Sequence, residues 1–190
     1  MNSLICKASV MTFCVGALAL VSGCGDSSVS EDRSAPTVVA CALLTAADAS
    51  EILGGSAAEP ETYMKLDRVN ERDGNALSNC LYEREGSFQA LSVVVTYRSI
   101  EFPASFAALR EESEGASDEM EEMALELLDS SEPVDGLGDF AYWTEELGTL
   151  TVYAERHYVI SITADGASSG DTAGARARAT DAAGRILGRI

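Results

Sequence analysis

The clearest alternation along the chain is FQALSVVVTYR at 88–98, where Leu91, Val93, Val95 and Tyr97 take every second position and Ser92, Val94, Thr96 and Arg98 lie between them. A period of two sends the two sets to opposite faces of a pleated strand, so this segment is predicted to be a half-buried strand. Strand-like pieces precede it near 61–69 and 78–84. Three more follow a polar turn at Val134–Asp139, namely FAYWTEE, LTVYAE and HYVISIT, the last two folded into a hairpin about Glu155–His157. Helical spacing appears in three places. In LLTAADASEILGG, Thr45 stands at the N-cap, Asp48 at the third helical position, Ala49, Ile52 and Leu53 on one face, and Gly54-Gly55 as the stop. Phe102, Phe106 and Leu109 open a second helix, interrupted at Gly115 and resumed by a stripe of Met120, Met123 and Leu127, which reads as a core face. Ala173, Ala177, Ala183, Ile186, Leu187 and Ile190 mark a closing helix, with Arg185 and Arg189 near its end to complement the dipole. The expected order is helix, three strands, helix, three strands, helix. That is an α+β chain: a compact layered sandwich of a mostly antiparallel sheet with three helices, in one domain over 40–190.

Upstream of the domain the pattern is different. Lys7 precedes an apolar run from Val10 to Val21, and small residues Ser22 and Gly23 follow. About 20 apolar residues are needed to span a bilayer and roughly 7–15 to form the core of a signal peptide, so residues 1–23 are expected to be a removable export signal. Val21-Ser22-Gly23-Cys24 resembles the lipobox, an aliphatic and two small residues before a cysteine. That resemblance implies cleavage before Cys24, a diacylglycerol group on its thiol and, in many bacteria, a further acyl chain on its amine. At about 0.8 kcal/mol per buried CH₂, two or three chains anchor a protein stably. Residues 24–39 then supply the lipidated cysteine and a flexible tether, because GDSSVSEDRSAPTV has almost no bulky apolar groups; at 5–6 Å × √n it holds the domain about 20 Å from the lipid. The alternative is a secreted protein with Cys24 merely near the cut.

Charge narrows the partners. The chain has 31 acids against 13 Lys and Arg, a formal net charge of −18, and loss of Lys7 with the leader would make it more negative still. Nucleic acid is a poor partner for such a surface. Fifteen of the acids fall in 101–146 against Arg110 alone. The stretch 111–129, with Glu119 and Glu122, reads as a solvated helix face, with divalent cations or a basic partner as alternatives, although no calcium-loop spacing is present. If Cys6 and Cys14 leave with the leader and Cys24 carries lipid, Cys41 and Cys80 remain. Two cysteines in an oxidising compartment read as one disulfide, closing a loop of about 40 residues with roughly 4 kcal/mol of stabilisation; a pair of metal thiolates is the competing reading, for which His157 alone supplies no full ligand set.

Candidate chemistry is sparse. Gly166-Ala167-Ser168-Ser169-Gly170 fits the nucleophile-elbow pattern and lies between an expected strand and helix. The hydrolase order, however, places the histidine after the serine, and the one histidine in the chain, His157, precedes it. A hydrolase using Ser168 stays as the alternative function. Asp135 and Asp139, flanking glycines, are read as caps for backbone amides rather than presented carboxylates. Of Tyr142 and Trp143 only one can face inward, so the other is expected at the surface as a contact residue.

CALLTAADASEILGG, then Cys80-Leu81-Tyr82, then VDGLGDFAYW, then a hairpin and a C-terminal helix together resemble bacterial lipoproteins of unassigned function, in which a cysteine opens a Leu-Leu-Thr-x-x-Asp helix and pairs with a second cysteine before an aromatic. The resemblance covers 40–190. The residues it carries over, Cys41, Cys80, Gly136, Gly138 and Asp139, are architectural, and the family's sandwich is similar to the PsbP-like fold, whose members are often extrinsic, non-catalytic membrane-surface proteins. The expectation is therefore a membrane-anchored envelope lipoprotein facing the periplasm or cell exterior. It would be a non-catalytic binding or assembly module for an unknown envelope protein or small ligand, or a structural or stress-related surface protein, with no cofactor and no metal.

Overall fold

Whether a residue of this chain packs inward is decided strand by strand through the two-residue period, and the computed structural model describes the outcome for residues 39–58, 66–70, 75–114, 125–164 and 170–190, all within Asp32–Ile190. The expected leader 1–23, Cys24 and the tether to 38 lie outside the described residues, as do residues 61–65, Gly115 to Met123 with Glu119 and Glu122, and Ser168.

The elements run α1 Ala40–Leu43, α2 Ala46–Leu53, β1 Leu66–Asn70, β2 Asn75–Glu83, β3 Ala90–Tyr97, α3 Phe106–Glu114, a short helical stretch α4 at 125–129, β4 Ser131–Val134, β5 Phe140–Thr144, β6 Thr149–Ala154, β7 Tyr158–Ala164 and α5 Thr172–Leu187. The fold is α+β. The strands form one sheet ordered β1-β2-β3-β7-β6-β5-β4, antiparallel at every pairing. It is two meanders joined where β3 pairs with β7, and α3 and α4 lie in the connection between them.

The register assigns the two faces. Cys80, Val93, Ile162, Leu150 and Trp143 stand side by side across five strands and are all buried. This first face is covered by α1, α2 and α5, which contributes Ala175, Ala179, Ala182, Ala183 and Ile186. One residue further on, Leu81, Ser92, Thr163, Thr149, Thr144 and Ser131 form the neighbouring row on the opposite face. The second face is therefore rich in hydroxyls where the first is aliphatic.

Two devices hold α1 and α2 to the first face. Cys41 and Cys80 form a disulfide, S–S 2.05 Å, tying α1 to β2. Beside it the Ala40 N–H donates to Ser78 Oγ at 2.8 Å and the Tyr82 hydroxyl to the Leu44 carbonyl. The second is an ion-pair cluster on Asp48. Thr45 and Asp48 form the expected capping box, and Gly54 ends α2 in the left-handed region, φ +66°. The same carboxylate accepts from Arg185 of α5 at 3.1 Å and from Arg189, just past the end of that helix, at 2.6 Å. These hydrogen bonds, Arg189 first, hold its carboxyl well below the usual carboxylate range against the opposing effect of burial. The two arginines, expected to complement a helix dipole, thus fasten the C-terminal end of the chain to α2.

Four expectations need correction. Four strands, not three, follow the second helix: β4, SEPV, lacks alternation and contains Pro133, which is tolerated because β4 is an edge strand. In α5, Ala173 and Ala177 are exposed and the buried stripe is Ala175, Ala179 and Ala182–Ala183, since a helix with alanine on several sides gives no phase from spacing alone. The second helix begins at Phe106, with Phe102 in the loop before it. Trp143 is buried in the core as one half of the alternation requires, but Tyr142 is only half exposed, because α3 packs over it.

Candidate functional site

The second face is roofed on its β4–β6 side by α3 and α4, clipped together by Arg110 and Asp129 at 2.8 Å. Ring contacts act as spacers between roof and sheet. Phe106 of α3 meets Tyr142 with centroids 5.3 Å apart, and Phe102 meets Tyr153 edge-to-face at 5.4 Å, while Phe140 stacks on Tyr153 at 4.2 Å. Small threonines stand on the sheet between these tall rings, so the roof does not close down on them. The space that remains is a hollow of about 270 Å³, bounded by Leu109, Leu127 and Leu128 above, Thr151 and Tyr153 below, and Leu147 at the rim. A second hollow of about 260 Å³ adjoins it and is lined by Arg98, Phe102 and Glu112. Leu109, Ser113 and Tyr153 border both, and the adjoining pair forms the groove beneath α3.

Most hydroxyls of the groove are already engaged. Thr144 is 2.7 Å from Ser131 Oγ, Thr149 is 2.8 Å from Thr163 Oγ1, and Ser113 donates to the Leu109 carbonyl at 3.0 Å. Thr151 Oγ1 has no hydrogen-bond partner among the described residues and faces the hollow. Burial pushes the Tyr153 hydroxyl above its ordinary range, the neighbouring Tyr142 adds to the rise, and the charge of Arg98 works against it. The phenol therefore stays neutral, a hydrogen-bonding group rather than a base.

The charged residues of the groove are Arg98 and Glu112, and a hairpin and a turn lie beside them. Glu155 and Arg156 occupy the left-handed region at φ 49° and 61°, the two central positions of the β6–β7 reversal. Asp139 Oδ2 accepts the Arg156 N–H at 2.8 Å, the Phe102 N–H donates to the Arg156 carbonyl at 2.6 Å, and Arg156 pairs with Glu101 at 2.6 Å. Asp139 is thus a backbone cap, as expected. Gly138, at φ +58°, brings the turn against β6 so closely that a Cβ would strike the Tyr153 carbonyl oxygen and a Val152 methyl. His157 Nδ1 sits 2.8 Å from the Arg98 carbonyl, and its ring leans on Tyr97.

The structure therefore disperses the residues singled out from the sequence. Cys41 and Cys80 lie under the first face, Asp135 and Asp139 in the β4–β5 turn, and His157 at the hairpin before β7, whereas the chain leaves β7 at Ala164, a full strand away from His157. Among the described residues, no group of three or more His, Cys, Asp or Glu is placed to hold a metal ion, and no helix is long and apolar enough to cross a membrane. Sequence reasoning missed Arg98, Leu109, Thr151 and Tyr153. The signal for two of them was present in LTVYAE, where Thr151 and Tyr153 alternate with Leu150 and Val152. Alternation shows that such residues share a face and cannot show that a helix roofs it. No family model, curated protein or solved structure matches the chain in comparisons with each.

Proposed function

We propose that the protein is a membrane-anchored envelope lipoprotein, lipidated on Cys24 and facing the periplasm or cell exterior, whose domain is a non-catalytic binding module with the groove beneath α3 as its ligand site. The observation that carries the reading is the groove itself: two adjoining hollows between a leucine-lined roof and a hydroxyl-bearing sheet, each bounded by Leu109 and Tyr153. Ligand sites have this character, mostly apolar with a few oriented polar groups. The Cys41–Cys80 disulfide supports an oxidising, exported setting.

Crosslinking in the native envelope tests the site. A photoreactive residue at position 147, on the groove rim, is expected to trap a ligand or partner that mass spectrometry detects, while the same residue at the exposed position 173 of α5, on the other side of the sheet, does not. Equal yields at the two positions, or none at 147, would overturn the assignment. The anchor is tested separately. Cys24→Ser should abolish incorporation of labelled fatty acid and leave an uncleaved precursor, and labelled protein from that variant would sink the lipidation reading.

A further inference from the structure

Resting on the groove as the binding site, we propose that its ligand is a small molecule with an apolar body and a single carboxylate, the body lodged between the α3–α4 leucines and Thr151 and the carboxylate held by Arg98.

Arg98 is out of keeping with its surroundings. Among the arginines whose side chains are described, Arg84 bonds Gln89 at 2.6 Å, and Arg110, Arg156, Arg176, Arg178, Arg185 and Arg189 each reach a carboxylate within 3.3 Å. Among the described residues, the Arg98 guanidinium alone makes no hydrogen bond and no ion pair, in a chain with 31 acids to 13 basic residues. Nearby acids are engaged elsewhere or held off. Glu101, three residues on, pairs with Arg156, and Glu112, which lines the same hollow, does not come within ion-pair distance. What fixes Arg98 is the face of Phe102, its guanidinium carbon 4.7 Å from the ring centroid. A guanidinium held over a ring face still has N–H groups available at its edge, and a guanidinium can receive a carboxylate through two parallel hydrogen bonds.

The rest of the groove limits what is attached to that carboxylate. Leu109, Leu127 and Leu128 ask for an apolar body, with Thr151 Oγ1 available for one hydrogen bond. Each hollow is smaller than the usual 300–1,000 Å³ of ligand pockets and the two together fall in that range, which suits a molecule of about a dozen non-hydrogen atoms spanning both. One cation left unpaired among the described residues, beside Glu112 and within an acidic surface, favours a monoanion over a dianion or a phosphate ester.

The probe is 4-phenylbutanoate, compared with its neutral amide and with 4-phenylbutyl phosphate, on the mature lipidated protein in zwitterionic nanodiscs, by equilibrium dialysis against empty nanodiscs. The acid should bind at least about tenfold more tightly than the amide or the phosphate. Arg98→Gln should bring acid and amide level, Arg98→Lys should retain part of the preference, and Glu112→Gln should strengthen acid binding about two- to threefold. Thr151→Trp, which fills the hollow, should abolish binding of acid and amide alike. Circular dichroism and melting of each variant separate loss of binding from loss of fold. Equal affinity for acid and amide in the wild type, an acid preference that survives Arg98→Gln, binding undiminished by Thr151→Trp, or no binding of any probe would each overturn this ligand assignment. The groove reading stands or falls separately, on the crosslinks from position 147.

Discussion

Two neighbours on β6, Leu150 and Thr151, point to opposite sides of the same sheet and meet different kinds of packing. On Leu150's side lie a disulfide, a cluster of two arginines on Asp48 and a helix of buried alanines seated directly on aliphatic strands. On Thr151's side a roof of α3 and α4 stands on aromatic spacers over threonines, and a hollow of about 270 Å³ persists. Protein interiors pack as densely as organic crystals, and this space opens to the surface beside such an interior. The comparison teaches a division of labour. One face concentrates the interactions that hold the chain together, and the other is left free to keep a groove and an unpaired arginine.

The sharpest way to break this comparison is to remove the disulfide. Replacing Cys41 and Cys80 together by Ala releases a loop with a sequence separation of 39, for which chain entropy gives a loss of about 4 kcal/mol. Urea unfolding of wild type and variant measures it. A loss under about 1 kcal/mol would mean that the first face does not carry the stability assigned to it.

The next largest effect sets the two neighbours directly against each other. Leu150→Ala opens a cavity among fully buried residues and is expected to cost about 3 kcal/mol. Thr151→Ala removes a methyl and a hydroxyl that border an existing hollow, with no hydrogen bond broken among the described residues, and should cost less than about 1 kcal/mol. Equal losses in a chemical denaturation series would show that the hollow is as tightly packed as the core and would erase the distinction.

The same contrast explains what was legible in the sequence. The first face was readable because its signals are local or nearly so: the alternation of Leu91, Val93 and Val95, the Thr45–Asp48 cap, the glycine stop at Gly54, and two cysteines left over once the rest were accounted for. The reversal at Glu155–His157 and the turn before Phe140 were equally local. The groove was not readable, because it is made by elements far apart in the chain. Arg98 ends one strand run, Leu109 lies in a helix, and Thr151 is 42 residues beyond Leu109; each alone looks like ordinary strand or helix surface. Nor did spacing disclose that Arg185 and Arg189 would find Asp48, an ion pair closed across more than 130 residues. β4 escaped notice for a different reason. Its stability comes from pairing with β5 along one edge, not from any pattern of its own.

The smallest of the expected stability losses compares an arginine site on each face. Asp48 is 8 % exposed and bonded to Arg189, Arg185 and Thr45, so Asp48→Asn should cost about 2 kcal/mol at pH 7, less than a fully buried ion pair would, because both arginines retain access to water. Arg98→Gln breaks no hydrogen bond or ion pair among the described residues and should change stability by no more than about 0.5 kcal/mol. The pH dependence gives a second check. A carboxyl whose folded pKa is depressed contributes stability that is complete above its unfolded value, about 3.9, and is lost as pH falls through the folded one. The gap between wild type and Asp48→Asn should therefore be constant from pH 7 to about pH 5 and narrow only below about pH 4. Taking the difference between the two proteins at each pH cancels the titration of the many surface carboxylates they share. A gap that fails to narrow below about pH 4 would mean that Asp48 titrates in the folded protein like an exposed acid, and the arginine cluster would then lose its place among the fastenings of the first face.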